Sequence, residues 1–180
     1  MLKLSPRKLA GLTLALLLAV SQVSWAKRTA PLGLDFTLRT VDGGSITSEM
    51  LRGDVVVLAF GASWLPLSRT QVEGMQKLAD EYKDRDVRVY WVSTDSELPK
   101  SKNYASDEQL RSFAHKNGLK IAVLRDPDGA LFKRLNVERD QLPAIVILDK
   151  QGNISGDPIG GLDPEGNLVQ QLSPRINRLL

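Results

Sequence analysis

The segment Trp64-Leu65-Pro66-Leu67-Ser68-Arg69 directly follows an apolar strand and opens a helix, a position suited to thiolate chemistry. A helix N-terminus lowers the pKa of a thiol held there and so supplies the anion that dithiol exchange requires. The chain has no thiol to place there, because its 180 residues include no cysteine. Leu65 carries no ionisable atom. Ser68 brings a hydroxyl, a poor nucleophile unless a base lies beside it. The sole histidine, His115, belongs to a different predicted helix, in Phe113-Ala114-His115-Lys116-Asn117-Gly118. It reads there as a solvated residue near a helix C-terminus, where positive charge is favourable. A serine hydrolase built on Ser68 therefore lacks its base.

Other chemistries fail on composition. Without cysteine there are no disulfides, thiolate metal sites, thioether haem attachment or peroxidatic thiol. A single histidine removes multi-His metal sites. Asp126-Pro127-Asp128-Gly129 has the acidic, turn-forming look of a calcium loop. The twelfth position of an EF-hand begun at Asp126 is Val137, however, where a bidentate Glu is required, so the segment reads as a turn and helix entry. Glu73, Asp80, Glu81 and Asp84 read as the solvated face of a helix, with Lys77 and Lys83 at pairing distance along it. Gly160-Gly161 lacks the strand and helix context of a phosphate loop. No cofactor and no metal are expected.

The N-terminus reads as a secretory signal over residues 1–26. Lys3, Arg7 and Lys8 form a basic start, Leu9 to Val20 a mostly apolar run, and Ser24-Trp25-Ala26 a small-x-small cleavage pattern. That run of 12 residues is well short of the roughly 20 that span a bilayer. Contact with a membrane is thus expected only before cleavage; the alternative is a segment kept as an uncleaved anchor. Residues 27–180 are expected to form one domain, large enough to fold without covalent staples. The formal charge of +3 lies wholly in the signal, which holds three of the 24 basic residues and no acid. The remainder balances 24 − 3 = 21 Lys and Arg against 21 Asp and Glu. A neutral domain has no electrostatic case for binding nucleic acid or anionic lipid.

The elements that must position the 64–69 segment follow from periodicity. Leu34 to Leu38 alternates as a half-buried strand, and Asp42-Gly43-Gly44 turns it into a hairpin with Ser45-Ile46-Thr47. Val55 to Phe60 is apolar on both faces, as a central strand covered by helices on both sides must be. Val72, Met75, Leu78, Ala79 and Tyr82 give a helix from about Leu67 to Lys83 its buried stripe. Val87 to Val92 is a second apolar strand, and Asp95 to Ala105 a polar loop. Ser106 and Gln109 form a capping box for a helix carrying Leu110, Phe113 and Ala114 and ending at Gly118. Ile121 to Leu124 makes a third strand, and a short helix ends near Leu135. Ala144 to Asp149 is the last strong strand, followed by a return at Ile154. Asp163 and Pro164 can start a C-terminal helix that Ser173-Pro174 breaks or kinks. This order predicts an α/β fold: a mixed sheet, parallel at its centre, with an N-terminal β-hairpin and helices on both faces.

From about Ala30 to Leu180, the order and the residues resemble the periplasmic thioredoxin-like proteins of the TlpA/ResA group, with the alkyl hydroperoxide reductase/redoxin branch more distant. Four pieces carry the resemblance. Val57-Leu58-Ala59-Phe60-Gly61-Ala62-Ser63-Trp64 is similar to the family's strand and its Phe-Trp-Ala-Ser-Trp approach. Pro66 and Arg69 stand where Cys-Pro-x-Cys-Arg has its proline and basic residue. Val92-Ser93-Thr94-Asp95 matches a Val-Ser-x-Asp strand end. Leu142-Pro143 and the run to Gly152 match the cis-proline strand and its turn. Leu65 and Ser68 then occupy the two cysteine positions, Ala59 stands where a buried Asp or Asn is usual, Gly61 replaces the first tryptophan, and Ala144 follows the proline where Thr is common.

The resemblance implies a thioredoxin-like fold and, taken alone, thiol–disulfide oxidoreductase or redoxin activity, which the missing sulfurs oppose. It also implies that a cis Pro143 lies beside the helix N-terminus and offers backbone groups to an extended peptide. Trp64, Leu65, Pro66, Leu67, Leu142 and Pro143 would then form an apolar partner-binding rim; alternatively, Leu65 and Leu67 pack inward as ordinary covering. The Asp95–Ala105 loop, with Lys100, Lys102 and Tyr104, leaves the same rim and either widens it or is plain solvated loop. The function expected is that of an exported, periplasmic, non-redox module binding an envelope protein or peptide. A structural role in an envelope assembly is the further alternative.

Overall fold

The computed structural model describes residues 33–137, 141–160 and 167–180. Residues 1–32, which include the expected signal, and Asp163 and Pro164 of the expected helix start lie outside them. Six strands form one sheet: β1 (Thr37–Thr40), β2 (Ser45–Thr47), β3 (Val55–Gly61), β4 (Val87–Ser93), β5 (Val123–Arg125) and β6 (Ala144–Leu148), in the spatial order β2-β1-β5-β4-β3-β6. The centre is parallel, with β3 beside β4 and β4 beside β5, while β1 and β6 run antiparallel to their neighbours. This is the mixed, thioredoxin-like sheet that the sequence predicts.

β3 is buried at all seven positions, which explains its unbroken apolar run. Val55, Val57 and Ala59 face a core completed by α1 (Pro66–Glu81), α2 (Asp107–Lys116) and α4 (Leu168–Leu179). Val56, Leu58 and Phe60 face a second core with Phe36, Leu51 and the short helix α3 (Ala130–Arg134). Alternation along one strand thus feeds two layers.

Several boundaries differ from the sequence expectation. The first strand starts at Thr37 rather than Leu34, because the chain before it hydrogen-bonds elsewhere: Leu34 N–H reaches Gly152 O and Phe36 N–H the Ser48 hydroxyl. α1 begins at Pro66, whose missing N–H is harmless in a first turn. The Ser106–Gln109 capping box forms as expected. α4 runs through Pro174 without a break. Pro174 and Gln170 are both exposed, so water can satisfy the carbonyl that loses its partner, while Leu168, Leu172 and Ile176 bury the other face. Asn167 caps α4, accepting from Gln170 N–H.

The loop after β4 is held by a cluster of charges. The Arg125 side chain, fully buried at the end of β5, donates to the carbonyls of Ala105 and Asp95 and to Asp107 Oδ1. Its Nε lies 3.6 Å from Glu97. Arg39 on β1 donates to both Glu97 and Asp107 from the exposed side. A buried guanidinium without such partners would be strongly destabilising. The Arg39 guanidinium hydrogen-bonded to Asp107 holds that carboxyl below the usual range, with Arg125 and Arg111 adding to the effect.

Because the folded-state pKa of Asp107 is depressed, its contribution is fully present above the unfolded value of about 3.9 and is lost as the pH falls through the folded value. Asp126 acts in the opposite sense. Burial raises its pKa despite backbone donors from Phe132 and Leu131, so stability falls as the pH rises from the unfolded value through the raised one. Asp107→Asn should therefore cost most above about pH 4 and progressively less below it. Urea titrations of both proteins across the acid range check this; a difference constant with pH would contradict the Arg39–Asp107 assignment.

Candidate functional site: the N-terminus of the first helix

β3 delivers the chain to Gly61, and a turn closed by Leu65 N–H to Ala62 O, 3.0 Å, swings it into α1. Leu65 is the N-cap, in extended backbone and without a side-chain acceptor for the first-turn amides. Asp95 fixes this turn from β4. Its fully buried carboxylate accepts from Ser63 N–H at 2.8 Å, Ser63 Oγ at 3.0 Å and Ser93 Oγ at 2.8 Å. The Val-Ser-x-Asp strand end thus acts as a clamp on the residues just before Trp64.

Ser68 is wholly buried, and its Oγ accepts from Ala62 N–H at 3.2 Å. Its hydroxyl is a structural acceptor at the base of the turn. His115 is exposed in the last turn of α2, as the sequence predicts. The two former candidates for nucleophilic chemistry serve no common site.

One turn beyond Ser68, Gln71 is also wholly buried. Its Nε2 donates to Phe60 O and to Ala144 O, both at 3.2 Å, and its Oε1 accepts from Trp91 Nε1 at 3.0 Å. One amide therefore links α1 to β3, β4 and β6. This cluster explains Gly61: a Cβ there would stand 2.7 Å from Gln71 Oε1, 2.8 Å from Ser68 Oγ and 2.9 Å from Trp91 Nε1. Ala59 leaves no polar group on the strand, but the helix supplies one. The sequence reading missed Gln71, although its place ahead of Val72, Met75 and Leu78 extends the buried stripe of α1.

The Leu142–Pro143 peptide bond is cis, and Pro143 is buried at the start of β6. A cleft of about 280 Å³ opens beside Leu142. Trp64, Leu65 and Leu142 line it, together with Thr94, Asn103, Pro127, Gly129 and Phe132. Of the residues named from sequence, Trp64, Leu65 and Leu142 meet in this cleft. Pro66 is exposed, Leu67 half-buried and Pro143 buried, and none of the three lines it. Trp64 is 60% exposed, a large apolar surface left to solvent. Asn103 places the loop after β4 on this wall, as the strand-end argument anticipates. Phe132, Pro127 and Gly129 arrive from α3 and the turn before it, where sequence gave no warning. Among the described residues, no group of three or more His, Asp or Glu is placed to hold a metal.

Leu142, ahead of the cis bond to Pro143, and Leu65, at the start of α1, line one cleft, the neighbourhood that the resemblance to thioredoxin-like proteins implies. Residues 28–156 match the AhpC/TSA family. The chain belongs to that family. It is 30% identical over 128 residues to the thioredoxin-like protein YneN of Bacillus subtilis, covering 70% of this chain and 68% of YneN. It is 24% identical over 126 residues to the thiol-disulfide oxidoreductase ResA of Bacillus thuringiensis, covering 70% of this chain and 66% of ResA. Among solved structures it is similar to a secreted Mycobacterium tuberculosis disulfide oxidoreductase homologous to E. coli DsbE, with a TM-score of 0.62 and 24% identity over 80% of this chain and 96% of that one. As an AhpC/TSA member, this chain keeps the family fold with Leu65 and Ser68 at the helix start and no cysteine anywhere.

The Gln71 cluster sets a stability test. Gln71→Leu removes the partner of the buried Trp91 N–H and should cost about 1–3 kcal/mol. Gly61→Ala should cost about the same through overpacking. Chemical denaturation measures both; losses below about 0.5 kcal/mol, typical of neutral surface changes, would contradict the role given to the amide.

Proposed function

We propose that this protein is an exported, non-redox member of the AhpC/TSA family that binds an extended segment of a protein partner at the α1 N-terminus. The carrying observation is the cleft beside Leu142, walled by half-buried Leu65 and by Trp64. At the position from which a thiolate would attack, an aliphatic side chain lines a recess whose apolar side chains are Trp64, Pro127, Phe132 and Leu142, with Thr94 and Asn103 beside them. That recess lies at the lower edge of the roughly 300–1,000 Å³ typical of small-molecule sites, a size that suits side chains better than a cofactor. The 1–26 segment and the secreted relative support export.

Thiol–disulfide exchange, the activity in the names of several relatives, requires a thiolate and a sulfur to receive it. Leu65 and Ser68 supply neither, and the Ser68 hydroxyl is occupied by Ala62. In an insulin-reduction assay the protein should give no turnover above a boiled control, and reductant should leave its Tm unchanged. Turnover would overturn the non-redox reading. Affinity capture from an envelope extract should recover a partner with the wild type and lose it with Leu65→Asp, which places a charge in the apolar recess. Equal recovery by both proteins would remove the cleft from the account.

A further inference from the structure

A second groove, of about 570 Å³, opens on the other side of the Ser63–Leu65 turn, between the start of α1 and the outer face of α2. Arg69 and Lys116 line it, with Ser63, Ser112, Phe113 and Asn117, and no carboxylate does. Both cations are exposed, and neither is ion-paired among the described residues. Glu73, one helical turn beyond Arg69, does not reach it. The first turn of α1 contains no acidic residue, so the positive end of the helix adds to the same field. Asp95 is buried behind Ser63 and accepts hydrogen bonds from Ser63 and Ser93, while exposed Glu108, one turn before Ser112 on α2, stands beside the groove and does not line it. Ser112 adds a hydroxyl donor on the exposed face of α2.

The same three-residue turn therefore separates an apolar cleft, on the Trp64 and Leu65 side, from a cationic groove, on the Ser63 and Arg69 side. We propose that the partner segment is acidic: an extended polypeptide that seats an apolar side chain in the cleft and lays neighbouring Asp or Glu side chains against Arg69 and Lys116. This rests on the partner-binding reading above and adds its chemical specificity. A free anion would satisfy the groove alone, and an uncharged apolar peptide the cleft alone. Adjacency of the two favours one chain that carries both groups. Arg69 can take a carboxylate in two parallel hydrogen bonds, and Lys116 acts as a point charge beside it.

The test is a random-peptide display selection on the folded protein, run on wild type, Arg69→Glu/Lys116→Glu and Leu65→Asp. Both groove residues are exposed, and unchanged circular dichroism controls for folding. The wild type should enrich peptides in which an apolar residue is flanked by Asp or Glu. The best of these, remade as a synthetic peptide, should bind the double variant about tenfold or more weakly and lose affinity with added salt. The same peptide with Asn and Gln for its acids should bind both proteins equally. Enrichment that depends on Leu65 but shows no acidic excess would overturn the acidic partner and leave the apolar cleft standing. Undiminished binding by the double variant would do the same. No enrichment by the wild type would overturn both readings.

Discussion

The carboxamide of Gln71 is cut off from water, and every polar atom on it must find a protein partner. It does so by reaching three strands from one helix: two carbonyls, on β3 and β6, accept from its nitrogen, and the Trp91 indole on β4 donates to its oxygen. That requirement fixes how close α1 lies to the sheet and leaves no room for a side chain at position 61. It also aligns the start of α1 with the start of the cis-proline strand, because Ala144 is one of its acceptors. The surface at Trp64 and Leu65 is the outward consequence of that inward fit.

Two further restraints complete the site. Asp95 holds Ser63 through both its amide and its hydroxyl, so the turn cannot swing away from β4. The Arg39–Glu97–Asp107–Arg125 cluster holds the loop that returns from β4, and with it Asn103 on the cleft wall. A rigid turn between fixed strands suits recognition, since little order remains to be gained on binding. It would equally have suited catalysis, where such preorganisation positions a reactive atom. Here the positions that would carry sulfur hold an aliphatic side chain, turned to the cleft, and a buried hydroxyl already in use.

The fold was legible because its signals are local and strong. Val55–Phe60 could only be a strand covered on both faces, and the helical stripe from Val72 to Tyr82 and the Ser106 capping box each declare themselves within a few residues. Pro174 misled because the cost of a missing N–H depends on whether the freed carbonyl meets water, which periodicity does not reveal. In the cleft, Trp64, Leu65 and Leu142 are legible from motif position, whereas Pro127, Gly129 and Phe132 come from the single turn and helix that follow β5, which only the sheet order brings there. Reading Ala59 and Gly61 as losses missed that Gln71, on the helix, supplies the polar group and requires the glycine. A polar residue inside a buried stripe was the available sign. The absence of cysteine needed no structure at all.

The central claim is that the cleft at the N-terminus of α1 is where this AhpC/TSA protein meets its partner. Backbone amide hydrogen exchange, measured with and without a bound partner peptide, tests it most directly. The account predicts added protection at Ser63 to Leu65, at Thr94 to Asn103, and from Gly129 to Phe132, with the far ends of the strands unchanged. Protection confined to another face, with the Ser63–Leu65 turn exchanging as in the free protein, would contradict it.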